Sequence, residues 1–260
     1  MDRLDPWESG YPAPAKLNLF LHVVGRRADA QVKLFRPLTG IAEADELAVR
    51  GARLLKEAVG SKQGVNIEIE KNIPVGGGLG GGSSDCATTL AVLNRLWRLN
   101  LPQEKLASLA LSLGADVPFF LFGGNAFAEG IGERLAPLEL PQAWYVVLAP
   151  AVSVSTRAIF AEPELTRNSK TIKISGFSAG FGRNDLEPVV CRRHAEVAAH
   201  LEWLKQFGDA RMSGSGACVF AEFSTERDAR SVLSRMPAEM RGFAVRGLDR
   251  HPLGALLETN

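Results

Sequence analysis

The feature that most constrains this chain is the run Pro74-Val75-Gly76-Gly77-Gly78-Leu79-Gly80-Gly81-Gly82-Ser83-Ser84. Six of the seven positions from Gly76 to Gly82 are glycine. Each glycine loses more conformational freedom on folding than any other residue, so a plain connection is a costly account of such a run. The run follows Val65-Asn66-Ile67-Glu68-Ile69-Glu70, whose alternation predicts a half-buried strand. It precedes Ala87, Leu90, Leu93 and Trp97, whose spacing predicts a helix. A strand, a glycine loop and a helix start together form an anion site. Backbone N–H groups turn inward, no Cβ blocks a phosphate oxygen, and the positive end of the helix dipole faces the ligand. Ser83 or Ser84 is expected to cap that helix or to offer its hydroxyl to a phosphate or its magnesium.

Two familiar phosphate motifs do not fit. Gly76, Gly78 and Gly81 satisfy GxGxxG, but Asn100 and Leu101 stand where a dinucleotide fold needs an acidic residue. Gly77 to Gly82 gives the GxxxxG half of a Walker A loop, with Ser83 in place of its lysine. Positive charge must therefore come from elsewhere. Lys16, opening a strand expected over residues 16–24, and Asp116, on a turn between Gly114 and Pro118, are the candidate charge partner and proton acceptor. Taken singly, Lys16 also reads as an edge lysine and Asp116 as a turn or capping aspartate.

Composition narrows the partner. Thirty basic and twenty-nine acidic residues leave a net charge of +1, without the basic excess that polynucleotide binding needs, so a small-molecule substrate and no nucleic acid is expected. No apolar run approaches the roughly 20 residues of a membrane span, and Met1-Asp2-Arg3-Leu4-Asp5 does not open a signal peptide. A cytoplasmic protein without membrane contact is expected. Cys86, Cys191 and Cys218 are scattered and show no CxxC pair, which reads as reduced thiols rather than a zinc site.

Further helices are expected over residues 43–59, from Pro102 to Gly114, over 192–207 and over 225–236. Strands are expected over 144–149, 217–223 and 243–248. The pattern restarts near residue 141, giving an α+β chain of two domains, 1–141 and 142–260, the second a βαβαβ-like layer.

Pro12-Ala13-Pro14-Ala15-Lys16-Leu17-Asn18-Leu19, the loop Pro74 to Ser84, and Ser213-Gly214-Ser215-Gly216-Ala217 resemble, in order, the three signature motifs of the GHMP kinase superfamily. Leu113 to Pro118, Ala126 to Gly130 and Asn184 to Glu187 resemble its branch acting on cytidine diphosphate methylerythritol, in non-mevalonate isoprenoid synthesis. The resemblance implies a ribosomal-protein-S5-domain-2-like N-terminal domain and a ferredoxin-like C-terminal one. It implies ATP and Mg²⁺, with Pro74 to Ser84 on the ATP phosphates, Asp116 as base and Lys16 as its electrostatic partner. It further implies Asn18, Thr156 and Phe160 on the substrate side, and Ser213 to Gly216 closing the site. A tight Gly/Ser turn before a strand is the plainer account of that last segment.

The chain departs from the family in three places. Ala30-Gln31-Val32-Lys33 stands where a cytosine-packing Gly-Tyr-His segment is usual, Glu46 replaces an asparagine near the adenine, and a second join falls near Ser175 to Phe181. A true deletion would strip strands from the first domain, so residues missing from the printed chain are the expected cause. Other acceptors of the superfamily (homoserine, mevalonate or a sugar) stay open, as does a nucleotide-binding module without catalysis.

Overall fold

The structure, a computed structural model, describes residues 21–27, 31–34, 36–38, 40–72, 74–169, 183–252 and 254. Lys16, Asn18, the Pro12 to Leu19 motif and the join near Ser175 to Phe181 lie outside the described residues. The chain divides into two compact units. One draws on Met1–Ile73, Gly80–Glu139 and Arg250–Asn260, the other on Pro74–Leu79 and Leu140–Asp249.

In the first unit, strands β1 (Leu21–Arg27), β2 (Val32–Leu34) and β3 (Gly64–Ile69) form a sheet in the order β1-β3-β2. β1 runs antiparallel to β3, with a register shift between Val23 and Gly25. β2 runs parallel to β3, pairing Val32 with Val65. This short strand, just after the unusual Ala30-Gln31 join, has no alternation long enough to announce it. In β3 the predicted alternation holds: Val65, Ile67 and Ile69 are buried, and Asn66 and Glu68 are half-buried.

Helix α1 (Leu47–Ala58) lays Ala48, Val49, Ala52 and Leu55 on the core, where α2 (Gly81–Leu96) is the central element. α2 is buried continuously from Ser84 to Asn94, as expected of a helix with neighbours on all sides. At Gly51 the two helices come so close that a β-carbon would stand 2.8 Å from Cys86 Sγ. α3 (Gln103–Leu111) buries Leu106 and Ala110, and Asn94 holds its approach by bonding both the N–H and the C=O of Leu101. The apolar run after Asp116 is helix α4 (Val117–Phe122), followed by a hairpin of β4 (Ala126–Glu129) and β5 (Arg134–Pro137).

The second unit contains β6 (Trp144–Leu148), α5 (Thr156–Phe160), α6 (Glu187–Arg193), α7 (Ala195–Lys205), β7 (Arg211–Met212), β8 (Val219–Phe223), α8 (Glu226–Leu233) and β9 (Gly242–Arg246). The four strands pair antiparallel in the order β7-β8-β6-β9. That order and its crossovers are those of a ferredoxin-like layer. The expected single helix over 192–207 is corrected: the chain breaks at His194 (φ −130°, ψ 89°). Neither Gly nor Pro marks the break. Arg192 and Arg193 pair with Glu164 and Glu162 at the end of α6, and α7 restarts to bury Val197, Leu201 and Leu204. Among the described residues, no helix is long and apolar enough to cross a membrane.

Candidate phosphate and proton-transfer site

The glycine run is shared between two roles. From Gly80 onward it is helix: Gly80, with φ 68°, is the N-cap of α2, and Gly81 and Gly82 form its first turn. This corrects the expected capping by Ser83 or Ser84, which lie inside the helix. The left-handed Gly80 lets the chain enter the helix without a side-chain cap, and Ser84 N–H already bonds Gly80 C=O (2.9 Å). The N–H groups that open a helix have no partner within it, and no acidic residue of the first turn opposes an anion there.

The preceding residues, Pro74 to Leu79, pack within the second unit against Ser213 to Cys218. Cys218 N–H donates to Gly77 C=O (3.0 Å) and Ser213 Oγ–H to Gly78 C=O (2.9 Å). A β-carbon on Gly78 would run into Ser213 C=O and come within 2.8 Å of Gly216 C=O; one on Gly214 would lie 3.1 Å from Gly78 C=O. Gly78 thus meets Gly214 and Gly216 backbone to backbone, which explains why glycine stands at those three positions. Asn184 fastens the second stretch by donating to Met212 C=O (2.9 Å) and Gly214 C=O (2.7 Å), while Glu187 accepts from Met212 N–H (2.8 Å). Thr156, at the start of α5, has its hydroxyl 2.7 Å from Ser215 Oγ. Phe160 ends α5 and is exposed. Burial pushes the Cys218 thiol up to about 11, so it stays protonated and unreactive.

Asp116 belongs to the first unit, at the N-cap position of α4, but its side chain makes no capping bond to that helix. It is exposed. The turn that carries it is packed against the start of α2: a β-carbon on Gly114 would lie 4.0 Å from Ser83 Oγ. α4 itself buries Val117, Phe120 and Leu121 in the core built around α2. The structure therefore brings the Asp116 turn and the start of α2 into one neighbourhood.

Beneath that helix start lies a group that sequence reading missed. Lys71 Nζ sits 2.6 Å from Asp85 Oδ2 and 3.3 Å from Glu46 Oε2. Both carboxylates are almost fully buried, at 2% and 3% exposure. The three residues join the end of β3, the entry to α1 and the second turn of α2. Glu46 stood out only as an odd residue in its motif, because Lys71 lies 25 positions from Glu46 and 14 from Asp85, which leaves no local pattern. Burial, with those carboxylates nearby, raises the Cys86 thiol well above its ordinary range.

The site fits the groups a kinase brings. Helix start and glycine backbone suit phosphate oxygens. Among the described residues no three His, Cys, Asp or Glu side chains gather into a metal cage.

Residues 46–124 match the family described as GHMP kinases N terminal domain, and residues 165–242 that described as GHMP kinases C terminal. The 4-diphosphocytidyl-2-C-methyl-D-erythritol kinase of Thiobacillus denitrificans is 57% identical over 94% of this chain and 96% of its own. The protein of the same name in Nitrosospira multiformis is 55% identical over 95% and 93%. A crystal structure of 4-(cytidine 5'-diphospho)-2C-methyl-D-erythritol kinase superposes with a TM-score of 0.72 at 34% identity, covering 88% of this chain and 86% of that one.

Proposed function

Because the chain belongs to the GHMP kinases, ATP-dependent enzymes acting on small molecules, we propose that it transfers the terminal phosphate of ATP to the 2-hydroxyl of 4-diphosphocytidyl-2-C-methyl-D-erythritol. The substrate follows from the relatives' names and their identity along nearly the whole chain. The observation that supports the mechanism is the nearness of Gly114, two residues before Asp116, to Ser83 at the start of α2.

In this reading the backbone of Gly76 to Ser83 and the α2 dipole hold the phosphates of ATP, which are pre-positioned donors for charge that grows on transfer. Mg²⁺, bound with ATP, would neutralise phosphate charge, with the Ser83 hydroxyl a candidate protein oxygen to hold it. Asp116 accepts the proton of the acceptor hydroxyl as its oxygen bonds to phosphorus and ADP leaves. Lys16 is its electrostatic partner, and Asn18, Thr156 and Phe160 hold the acceptor. The reaction belongs in the cytosol, where ATP is available.

Phosphorus NMR of the reaction is the test. With this acceptor, ATP and Mg²⁺, a new phosphomonoester resonance is expected to grow in step with ADP. Release of inorganic phosphate with no monoester, or a monoester formed only on homoserine, mevalonate or galactose, would overturn the assignment.

A further inference from the structure

The hairpin between β4 and β5 turns through Gly130-Ile131-Gly132-Glu133, and its tip returns to the residue before Asp116. Gly132, at φ 113°, lies so close to Ala115 that a β-carbon would stand 3.2 Å from Ala115 C=O and 3.8 Å from its carbonyl carbon. These are backbone atoms, which cannot swing aside as a side-chain end can. The tip is itself clasped. The Glu133 carboxylate accepts the Ile131 N–H (2.7 Å), and Gly130, at φ 72°, leaves the room that carboxylate occupies. Hydrogen bonds from its own N–H and then from Ile131 N–H hold the Glu133 carboxyl below its ordinary range. Gly132 N–H closes the turn on Glu129 C=O (3.2 Å).

We propose that this turn is a positioning element for Asp116, with Gly132 bearing on Ala115 and Glu133 keeping the tip rigid. The inference rests on Asp116 being the base. That carboxylate makes no capping bond to α4, so the helix does not fix where it points. Neighbours bear on its backbone from either side of the turn, with Gly114 near Ser83 and Ala115 against Gly132. Proton transfer needs hydrogen-bond reach, and displacing a reacting group by 1 Å can cost about 100-fold. A side chain at 132 forces a shift of a few tenths of an ångström.

The test is a mutant cycle on the full chain. Gly132→Ala is expected to lower kcat by about 10-fold with KM for ATP unchanged. In an Asp116→Asn background the same change should lower kcat no further, because residues that act as a unit are not additive. Gly60→Ala is the control, since it also puts a side chain at a positive φ (62°) but with nothing within 4 Å, and should leave kcat unchanged. Should Gly132→Ala not fold, Glu133→Ala, which opens the clasp without adding atoms, should lower kcat several-fold and be silent in the Asp116→Asn background. Wild-type kcat in Gly132→Ala, or in Glu133→Ala where that variant stands in, overturns the inference. So does a loss that multiplies with that of Asp116→Asn. Full turnover by Asp116→Asn alone would instead remove the base on which the inference rests.

Discussion

Asp116→Asn is expected to lower kcat for phosphate transfer by about 10²–10⁴-fold, the usual cost of losing a general base. Asparagine keeps the shape of the side chain and much of its hydrogen bonding, but it cannot take a proton. ATP binding should survive, because the glycine backbone and the start of α2 carry it. Stability should stay within about 0.5 kcal/mol of wild type, the usual range for an exposed position, since asparagine keeps the shape of the side chain. Single-turnover kinetics beside a thermal melt separates these effects. A variant as stable as wild type and equally fast would show that the proton leaves by another route.

The second large effect is on the fold. Lys71→Met should destabilise the protein by about 3–5 kcal/mol, the cost of removing one partner from a buried ion pair. It leaves Glu46 and Asp85 buried with no ammonium between them. That is a large share of the about 5–15 kcal/mol by which a domain is stable. Neutralising both carboxylates in the same chain (Glu46→Gln with Asp85→Asn) should recover most of it, because the cost lies in uncompensated charge rather than lost packing. Urea midpoints of the three proteins check this. A Lys71→Met midpoint equal to wild type, or no recovery in the triple variant, would mean that the triad does not bind the helix start to β3.

What the sequence made legible was what repeats locally. The alternation in β3, the spacing along α2, the strands β6, β8 and β9 and the helix α8 follow from periodicity, and the ferredoxin-like order emerged as the resemblance implied. What it hid depends on distance or on backbone. The apolar spacing of Val197, Leu201 and Leu204 runs smoothly on, so the break at His194 left no mark. β2 is three residues long and gains its place by pairing with β3. The glycine run reads as one loop, yet Gly80 to Gly82 begin a helix while Gly77 and Gly78 meet the backbone of Ser213 to Cys218. Of the site residues, Asp116 was visible by its turn, and its neighbourhood with Ser83 was not. Lys71, Glu46 and Asp85 come from three elements and could only be joined in space.

The most direct test of the central claim is a crystal structure with Mg²⁺, a non-hydrolysable ATP analogue and 4-diphosphocytidyl-2-C-methyl-D-erythritol. The expected complex has phosphate oxygens on the N–H groups of Gly81 to Ser83. Its acceptor hydroxyl should lie about 3 Å from the Asp116 carboxylate and about 3–3.5 Å from the terminal phosphorus. A terminal phosphate bound away from the start of α2, or an acceptor hydroxyl beyond the reach of Asp116, would contradict it.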